Sequence, residues 1–389
     1  NELEAIRALR PDGPRDLKWQ PDEDELLDKL HGAWTGRSVG CALGKPVEGR
    51  GMQRDEHGML SGRKSIKAYL QKRDDWPLSD YFSSRDVGDG DTTGKGYCDR
   101  ESISYMPPDD DIHYTLVGLG VLEEKGAGFT WDDVARYWLH HIPITAICTA
   151  EAQAILNVQN VSRRGNAPQA GPEWVRRYRN PYREWIGAQI RADGWAYACA
   201  GKPELAAELA WRDARWTHER NGIYGEMMAA AMIAASFVES DVDTLIDIGL
   251  SEIPRDCRLA RWVARCRQWM KNSPDWESCM DKLEDELQEM HAVHTINNML
   301  ICLIAMHYGR MDTTETPAIA VMCGLDTDCN GATVGSLVGA IAGKAKFGGK
   351  LADRLNDTIK PNMLGFQEAS MRDMAERSLA CRAAVISHQ

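Results

Sequence analysis

The chain has 389 residues, of which 27% are charged and 43% hydrophobic, an ordinary globular mixture. Its 58 acidic and 46 basic residues give a formal net charge of −12, which argues against a general nucleic-acid-binding surface. The eleven cysteines include no Cys-x-x-Cys pair, which indicates reduced thiols and a cytoplasmic location rather than a disulfide framework.

The N-terminal part is predicted to contain an arm and, after a first helix, a long irregular insertion. Residues 1–21 are polar and contain prolines, so we expect an arm over the surface, with residues 22–389 forming a single domain. Residues 49–108 form the insertion, and its glycine-rich run at 88–96 fits neither the Walker spacing nor an EF-hand loop. Loops of this length are often functional, and we expect this one on the rim of a cleft.

Past residue 108, apolar residues recur at helical spacing and strand-like alternation is scarce. The predicted helices span 114–124, 131–142, 144–158, 203–214, 222–238, 255–271, 278–290 and 294–308. The last of these is apolar on nearly all sides, which is typical of a buried core helix. The fold class is therefore predicted to be all-α.

Two predicted helices carry glycine at every fourth position. The first row is Gly32, Gly36, Gly40 and Gly44, and the second is Gly331, Gly335, Gly339 and Gly343. Each glycine disfavours a helix by about 1 kcal/mol relative to alanine, so a packing reason is expected. A row at this spacing flattens one helix face and lets another backbone come close. The rows predict a tight helix pair or a shared packing centre, and both apolar stretches are too short to span a membrane.

Two acidic clusters stand directly before apolar, helix-like runs. They are Asp109-Asp110-Asp111 and Asp326-Thr327-Asp328. Carboxylates this close raise one another's pKa unless a cation neutralises them, and such oxygen ligands suit Mg²⁺, Mn²⁺ or Ca²⁺. Taken alone, each cluster is better explained by aspartates that cap a helix N-terminus. If the glycine rows pack together, Glu48 and the second cluster can share one site.

Three segments of the sequence resemble the ADP-ribosylglycohydrolase family. Gly40–Glu48 is similar to the family's opening Gly-Asp-Ala-Leu-Gly…Glu element, and Asp109–Ile112 falls where the family has Thr-Asp-Asp-Thr. Gly324–Asn330 resembles its closing Gly-Gly-Asp-Thr-Asp-Thr element. Weaker similarity lies at Gly187–Arg191 and at Thr217-His218. The three main segments in the correct order make the resemblance specific.

The resemblance implies a compact multi-helix fold that holds two Mg²⁺ ions, with Mn²⁺ or Ca²⁺ as alternatives. The metal ligands it implies are Asp109, Asp110, Asp111, Asp326, Asp328 and Cys329. Asp109 and Cys329 stand where threonine is usual in the family, and Cys41 stands where aspartate is usual. A thiol is a poor ligand for Mg²⁺.

By the same resemblance, the chain is expected to be a divalent-metal-dependent glycohydrolase that cleaves an N- or O-glycosidic bond of ribosyl type. Its partner would be a small-molecule or ADP-ribosylated substrate, with no nucleic acid and no membrane. Glu48 or Asp110 would act as the catalytic acid or base. The residues expected to bind substrate are Gln189, Arg191, His218 and Asn297.

Two alternatives to this function remain open. The first alternative is a metal-dependent glycosidase that acts on another sugar conjugate or a nucleoside. It is favoured nearly as strongly as the ADP-ribosyl hydrolase by the departures at Asp109, Cys329 and Cys41 and by the insertion at 49–108. The third class is a non-enzymatic relative that uses the fold for binding. Retention of the paired aspartates in both clusters argues against it.

Overall fold

The computed structural model describes residues 1–15, 17–93, 97–163 and 171–387. Within them, helices dominate, and the only sheet pairs two short antiparallel strands, β1 (Thr358–Ile359) and β2 (Ala369–Ser370). The all-α prediction is confirmed. Residues 94–96 of the glycine-rich run lie outside the described residues.

The α-helices follow one another through most of the chain. They are α1 (Leu3–Leu9), α2 (Glu23–Gly44), α3 (Glu48–Gly51), α4 (Gly62–Gln71), α5 (Asp110–Lys125), α6 (Trp131–His141), α7 (Thr149–Arg163), α8 (Pro172–Arg177), α9 (Ala192–Ala198), α10 (Pro203–Ala214), α11 (Asn221–Ser236), α12 (Val242–Ser251), α13 (Arg258–Asn272), α14 (Trp276–Leu287), α15 (Thr295–Gly309), α16 (Glu315–Met322), α17 (Thr327–Ala342), α18 (Lys350–Asp353) and α19 (Met371–Ser387). Among them, α10 has the predicted bounds.

The insertion at 49–108 is less irregular than the sequence predicts, because α4 and most of α3 lie inside it. In α4 the buried residues Ile66, Tyr69 and Leu70 have helical spacing, so a short amphipathic helix can pack there. The predicted helix over 144–158 is also wrong at its start, since a 3-10 turn at Ile144–Ala146 precedes α7.

The N-terminal arm is held against the rest of the protein. It includes α1, whose Ile6 is buried. Arg10 then makes ion pairs of 2.5 Å with Glu252 and 2.8 Å with Glu204. The arm therefore packs along the surface near α10 and α12, while its separation from a single domain at 22–389 stays a prediction.

The two glycine rows face each other in an antiparallel helix pair. A methyl carbon placed on Gly36 would lie 2.0 Å from the carbonyl oxygen of Gly335, and one on Gly40 would lie 1.9 Å from that of Gly331. These distances are far inside van der Waals contact, so no side chain fits between the two backbones. The predicted tight pair of α2 and α17 is confirmed.

This pairing sets the position of the second acidic cluster. Because the helices are antiparallel, the C-terminus of α2 lies beside the N-terminus of α17. The hydroxyl of Thr327 donates a 2.8 Å hydrogen bond to the carbonyl oxygen of Gly44. The segment Lys45–Glu48, which follows α2 directly, is thereby brought next to Asp326 and Asp328.

Other helices enclose this pair. Helices α11, α15 and α16 pack against α17, and α19 packs against α2. The described residues of α15 from Thr295 to Met306 are all buried, as its apolar sequence predicts. In the described part of the chain, no helix is both long and apolar enough to cross a membrane.

We expect Gly36→Leu to lower the free energy of unfolding by about 3 kcal/mol or more, because the new side chain must push the backbone of Gly335 away. Gly128→Leu is the matched control, since a methyl carbon there meets nothing within 4 Å. Denaturant unfolding of both variants measures the difference. A loss below about 0.5 kcal/mol for Gly36→Leu would contradict the close packing.

Candidate metal centre

The two acidic clusters lie at the N-termini of α5 and α17. Asp109 is the N-cap of α5, and its Oδ1 accepts a 3.0 Å hydrogen bond from the backbone N–H of Asp111. Asp326 holds the equivalent position before α17, but its side chain caps no backbone N–H. Helix capping therefore accounts for Asp109 and gives no role to the carboxylate of Asp326.

Side chains from these termini converge into two groups of potential ligands. The first group consists of Cys41, Asp109 and Asp111, and the second of Asp326, Asp328 and Cys329. Within each group the potential ligand atoms lie within 4.8 Å of one another, and all six residues are buried. Each group therefore has the ligand spacing that could hold a metal ion.

Asp110 and Glu48 adjoin the two groups. Burial and the negative charges of the surrounding aspartates raise the pKa of Asp110 well above its usual range. Glu48 is partly exposed at the start of α3. After burial, the negative charge of Glu48 is one of the causes that raise the pKa values of Asp326 and Asp328. Glu48 is therefore a partly exposed carboxylate close enough to the second group to act on its charges.

Two basic side chains contact the first group. The buried guanidinium of Arg37 pairs with Asp111 at 2.9 Å and with Asp193 at 2.8 Å. The ammonium of Lys45 pairs with Oδ2 of Asp109. Burial alone would raise the pKa of Asp109, but the positive charge of Lys45 holds it below its usual value.

The second group carries strongly perturbed acids. Burial raises the pKa of Asp326 to about 6. Burial and the nearby charges of Asp109 and Asp326 raise the pKa of Asp328 well above its usual range. Burial also raises the pKa values of the Cys41 and Cys329 thiols. The site thus accumulates more negative charge than its surroundings neutralise, which is the condition that a bound cation relieves.

A divalent cation fits these residues. Oδ2 of Asp111 and Oδ1 of Asp328 are buried without a hydrogen-bond partner. Burial raises the pKa of Asp111 well above its usual range in spite of the positive charge of Arg37. Unpartnered carboxylate oxygens are costly to bury, and they are the donors that hard divalent ions prefer.

The sequence pattern of the ADP-ribosylglycohydrolase family matches residues 22–384. The chain belongs to this family. A solved structure described as an ADP-ribosylglycohydrolase-related protein complex is similar with a TM-score of 0.58 and 18% identity, covering 93% of this chain and 99% of that chain. At this identity the likeness shows the fold alone. Comparison with curated proteins gives no match.

The residues that the family resemblance suggests for substrate binding are all buried in this glycohydrolase-family chain. They are Gln189, Arg191, His218 and Asn297. Two of them make hydrogen bonds to protein groups. Oε1 of Gln189 accepts a 2.8 Å hydrogen bond from the Thr295 hydroxyl, and Nδ2 of Asn297 donates a 3.0 Å hydrogen bond to the carbonyl oxygen of His291. Nε2 of Gln189 and Nε2 of His218 are buried without a partner. Substrate binding by these four residues stays a prediction.

Arg191 lies in a second buried network of charges. Its guanidinium donates at 2.8 Å to both Glu151 and Asp213, and at 3.0 Å to the hydroxyl of Thr217. Burial raises the pKa of Glu151 to about 7, although the charge of Arg191 opposes the shift. Burial and the positive charge of Arg191 lower the pKa of His218 well below its usual range, so its imidazole is neutral.

This network is joined to the acidic site. Nη2 of Arg37, which binds Asp111, also donates a 2.6 Å hydrogen bond to the carbonyl of Ile190. The turn that carries Gln189 and Arg191 is therefore anchored to the first ligand group. The mid-chain segments of the family resemblance are therefore linked to the acidic site through hydrogen bonds of Arg37 and Arg191.

Sequence reasoning named Cys41 only as a departure from the family pattern and did not identify Arg37 and Lys45, which contact the first ligand group. Arg37, Cys41 and Lys45 are spaced by four residues directly beside the glycine row of α2, so they share one helix face next to the close contact. That spacing was the available signal for all three. Asn298 rather than Asn297 contacts the second cluster, because its Oδ1 accepts a 3.2 Å hydrogen bond from the backbone N–H of Asp326.

We expect Glu151→Gln to remove part of the pH dependence of stability. The folded pKa of about 7 lies above the ordinary 4.5, so this group's stabilisation is complete below about pH 4.5 and is lost as pH rises through 7. Relative to the variant, the wild type should lose about 3 kcal/mol between these limits. Denaturant unfolding across pH 4.5–8 measures this, with the more exposed Glu123→Gln as control. Parallel curves for wild type and Glu151→Gln would contradict the shift.

Proposed function

We propose that this protein is a divalent-metal-dependent glycohydrolase that cleaves an N- or O-glycosidic bond of ribosyl type. Family membership supports a hydrolase of this kind. The observation that carries the metal dependence is the pair of buried carboxylate oxygens, on Asp111 and Asp328, that have no hydrogen-bond partner. The eleven free thiols support a reducing, cytoplasmic setting.

Donor chemistry ranks the residues that would hold the cation. Asp110, Asp111, Asp326 and Asp328 supply hard carboxylate oxygens, whereas Cys329 would ligate weakly through sulfur. Mg²⁺ is the expected ion, with Mn²⁺ or Ca²⁺ as alternatives. When bound, such an ion orients vicinal sugar hydroxyls and makes a coordinated water more acidic.

Glu48 is our candidate for the acid or base that handles the proton. It is partly exposed next to the second group, where a leaving group or water can reach it. The helix α3 that carries it is anchored at its other end, because the carbonyl of Gly51 accepts a 2.9 Å hydrogen bond from the N–H of Leu325. Asp110 is the second candidate, as a base, since its carboxylate lies among the aspartates of both ligand groups.

The sugar conjugate that is cleaved depends on residues where this chain departs from its family. Cys41, Asp109 and Cys329 change the set of donor atoms at the proposed metal site, which favours an alternative substrate. That alternative is a sugar conjugate or nucleoside without ADP-ribose, cleaved by the same metal-dependent chemistry. In both cases the bond breaks through a transition state with positive charge on the anomeric carbon, which nearby carboxylates stabilise.

We expect Asp328→Ala to reduce turnover by at least a factor of about 100 while the protein still unfolds cooperatively, because it removes a carboxylate aimed into the site. Asp132→Ala is the control, since Asp132 is exposed and pairs with Arg136 on the surface. Hydrolysis is measured with ADP-ribosyl-arginine, ADP-ribosyl-serine, O-acetyl-ADP-ribose and aryl furanosides, with and without Mg²⁺. Undiminished turnover in excess chelator would contradict the metal dependence.

Titration calorimetry with free ADP-ribose separates the two substrate classes. An ADP-ribose-specific enzyme should release or absorb heat on binding it in the presence of Mg²⁺. Absence of binding up to millimolar ADP-ribose, together with binding of a simple furanose or nucleoside, would reject the ADP-ribosyl substrate. The result would then support the alternative function, a metal-dependent glycosidase that acts on a sugar conjugate or nucleoside without ADP-ribose.

A further inference from the structure

The first ligand group differs from the second in that positive side chains already bind its carboxylates. Oδ2 of Asp109 pairs with the Lys45 ammonium, and its Oδ1 accepts the 3.0 Å hydrogen bond from the N–H of Asp111. Oδ1 of Asp111 pairs with Arg37 at 2.9 Å. Three of the four carboxylate oxygens in this group therefore have a protein donor.

The remaining donors of the first group are too few to hold a hard divalent ion. Cys41 contributes a sulfur atom, which Mg²⁺, Mn²⁺ and Ca²⁺ bind poorly compared with oxygen. Oδ2 of Asp111 is the group's one carboxylate oxygen without a hydrogen-bond partner. Such ions need about six ligands, most of them oxygen, and a single protein oxygen does not make a site.

The Lys45 ammonium also lies where it opposes a second cation. This ammonium pairs with Asp109 of the first acidic cluster, and its charge also acts on Asp328 of the second. Its side chain is only about a quarter exposed, which limits screening by water. A divalent ion bound to Asp109 would have to displace this ammonium or lie beside it, and like charges at such distances repel strongly.

We propose that the Lys45 ammonium takes the place of one of the two cations that the family resemblance implies, so that this chain binds a single divalent ion. The ion is held by the aspartates of the second group with Asp110 and the free oxygen of Asp111. Two departures from the family pattern fit this arrangement. Cys41 replaces a carboxylate with a thiol, and Asp109 supplies the carboxylate that binds the Lys45 ammonium. This assignment rests on the metal dependence proposed above.

The test is the number of Mn²⁺ ions bound per chain. Free Mn²⁺ is measured by electron paramagnetic resonance during titration of the metal-stripped protein, and bound metal is measured independently by mass spectrometry after dialysis. Wild type should bind one ion. Lys45→Met combined with Cys41→Asp should bind two, because it frees Asp109 and restores a carboxylate. Lys45→Arg should still bind one, since the positive charge is kept.

Lys67→Met is the matched control. Lys67 is also a partly buried lysine, with a 2.6 Å ion pair to Glu277, and its loss should leave one ion bound. Two ions in the wild type would overturn the assignment and leave the proposed function intact. A single ion in a folded Lys45→Met/Cys41→Asp variant would also overturn it. No bound ion in the wild type would contradict the metal dependence itself along with this assignment. If the double variant does not fold, the wild-type number decides.

Discussion

The backbone contact between α2 and α17 is the constraint on which the site depends. Glycine from one helix meets a backbone carbonyl of the other along most of the pair, as between Gly36 and Gly335. Any side chain at this contact would separate the helices and shift Gly44 away from the hydroxyl of Thr327. The distance between Lys45 and Asp328 is therefore set by the packing of two helices. Closely packed helices hold such a distance more rigidly than a loop would.

Charge is concentrated at this contact and then only partly neutralised. Arg37 balances Asp111 and Asp193, while Arg191 balances part of the neighbouring network. Both guanidiniums are fully buried, so each is held by several acceptors at once. The carboxylates of the second ligand group have no comparable partner among the described residues. That imbalance is what a resident cation would correct.

The segment that carries Glu48 is tied to the same centre. Gly51 accepts the backbone hydrogen bond of Leu325, directly before Asp326, and Gly62 packs against the carbonyl of Gly51. Leu325 has a φ of +58°, a left-handed conformation that is unusual for a residue with a branched side chain. The end of α3 and the turn before Asp326 are thus held together by direct backbone contacts.

The sequence by itself determined the all-α class, the paired glycine rows and the two acidic clusters, because periodicity and local repulsion are properties of neighbouring residues. It also carried the family resemblance, which the match over 22–384 confirms. Only the tertiary structure showed that Lys45 and Arg37 bind the first cluster and that Asn298 contacts Asp326. Those contacts join segments far apart in the chain, and their partners are chosen by how α2, α5, α15 and α17 pack.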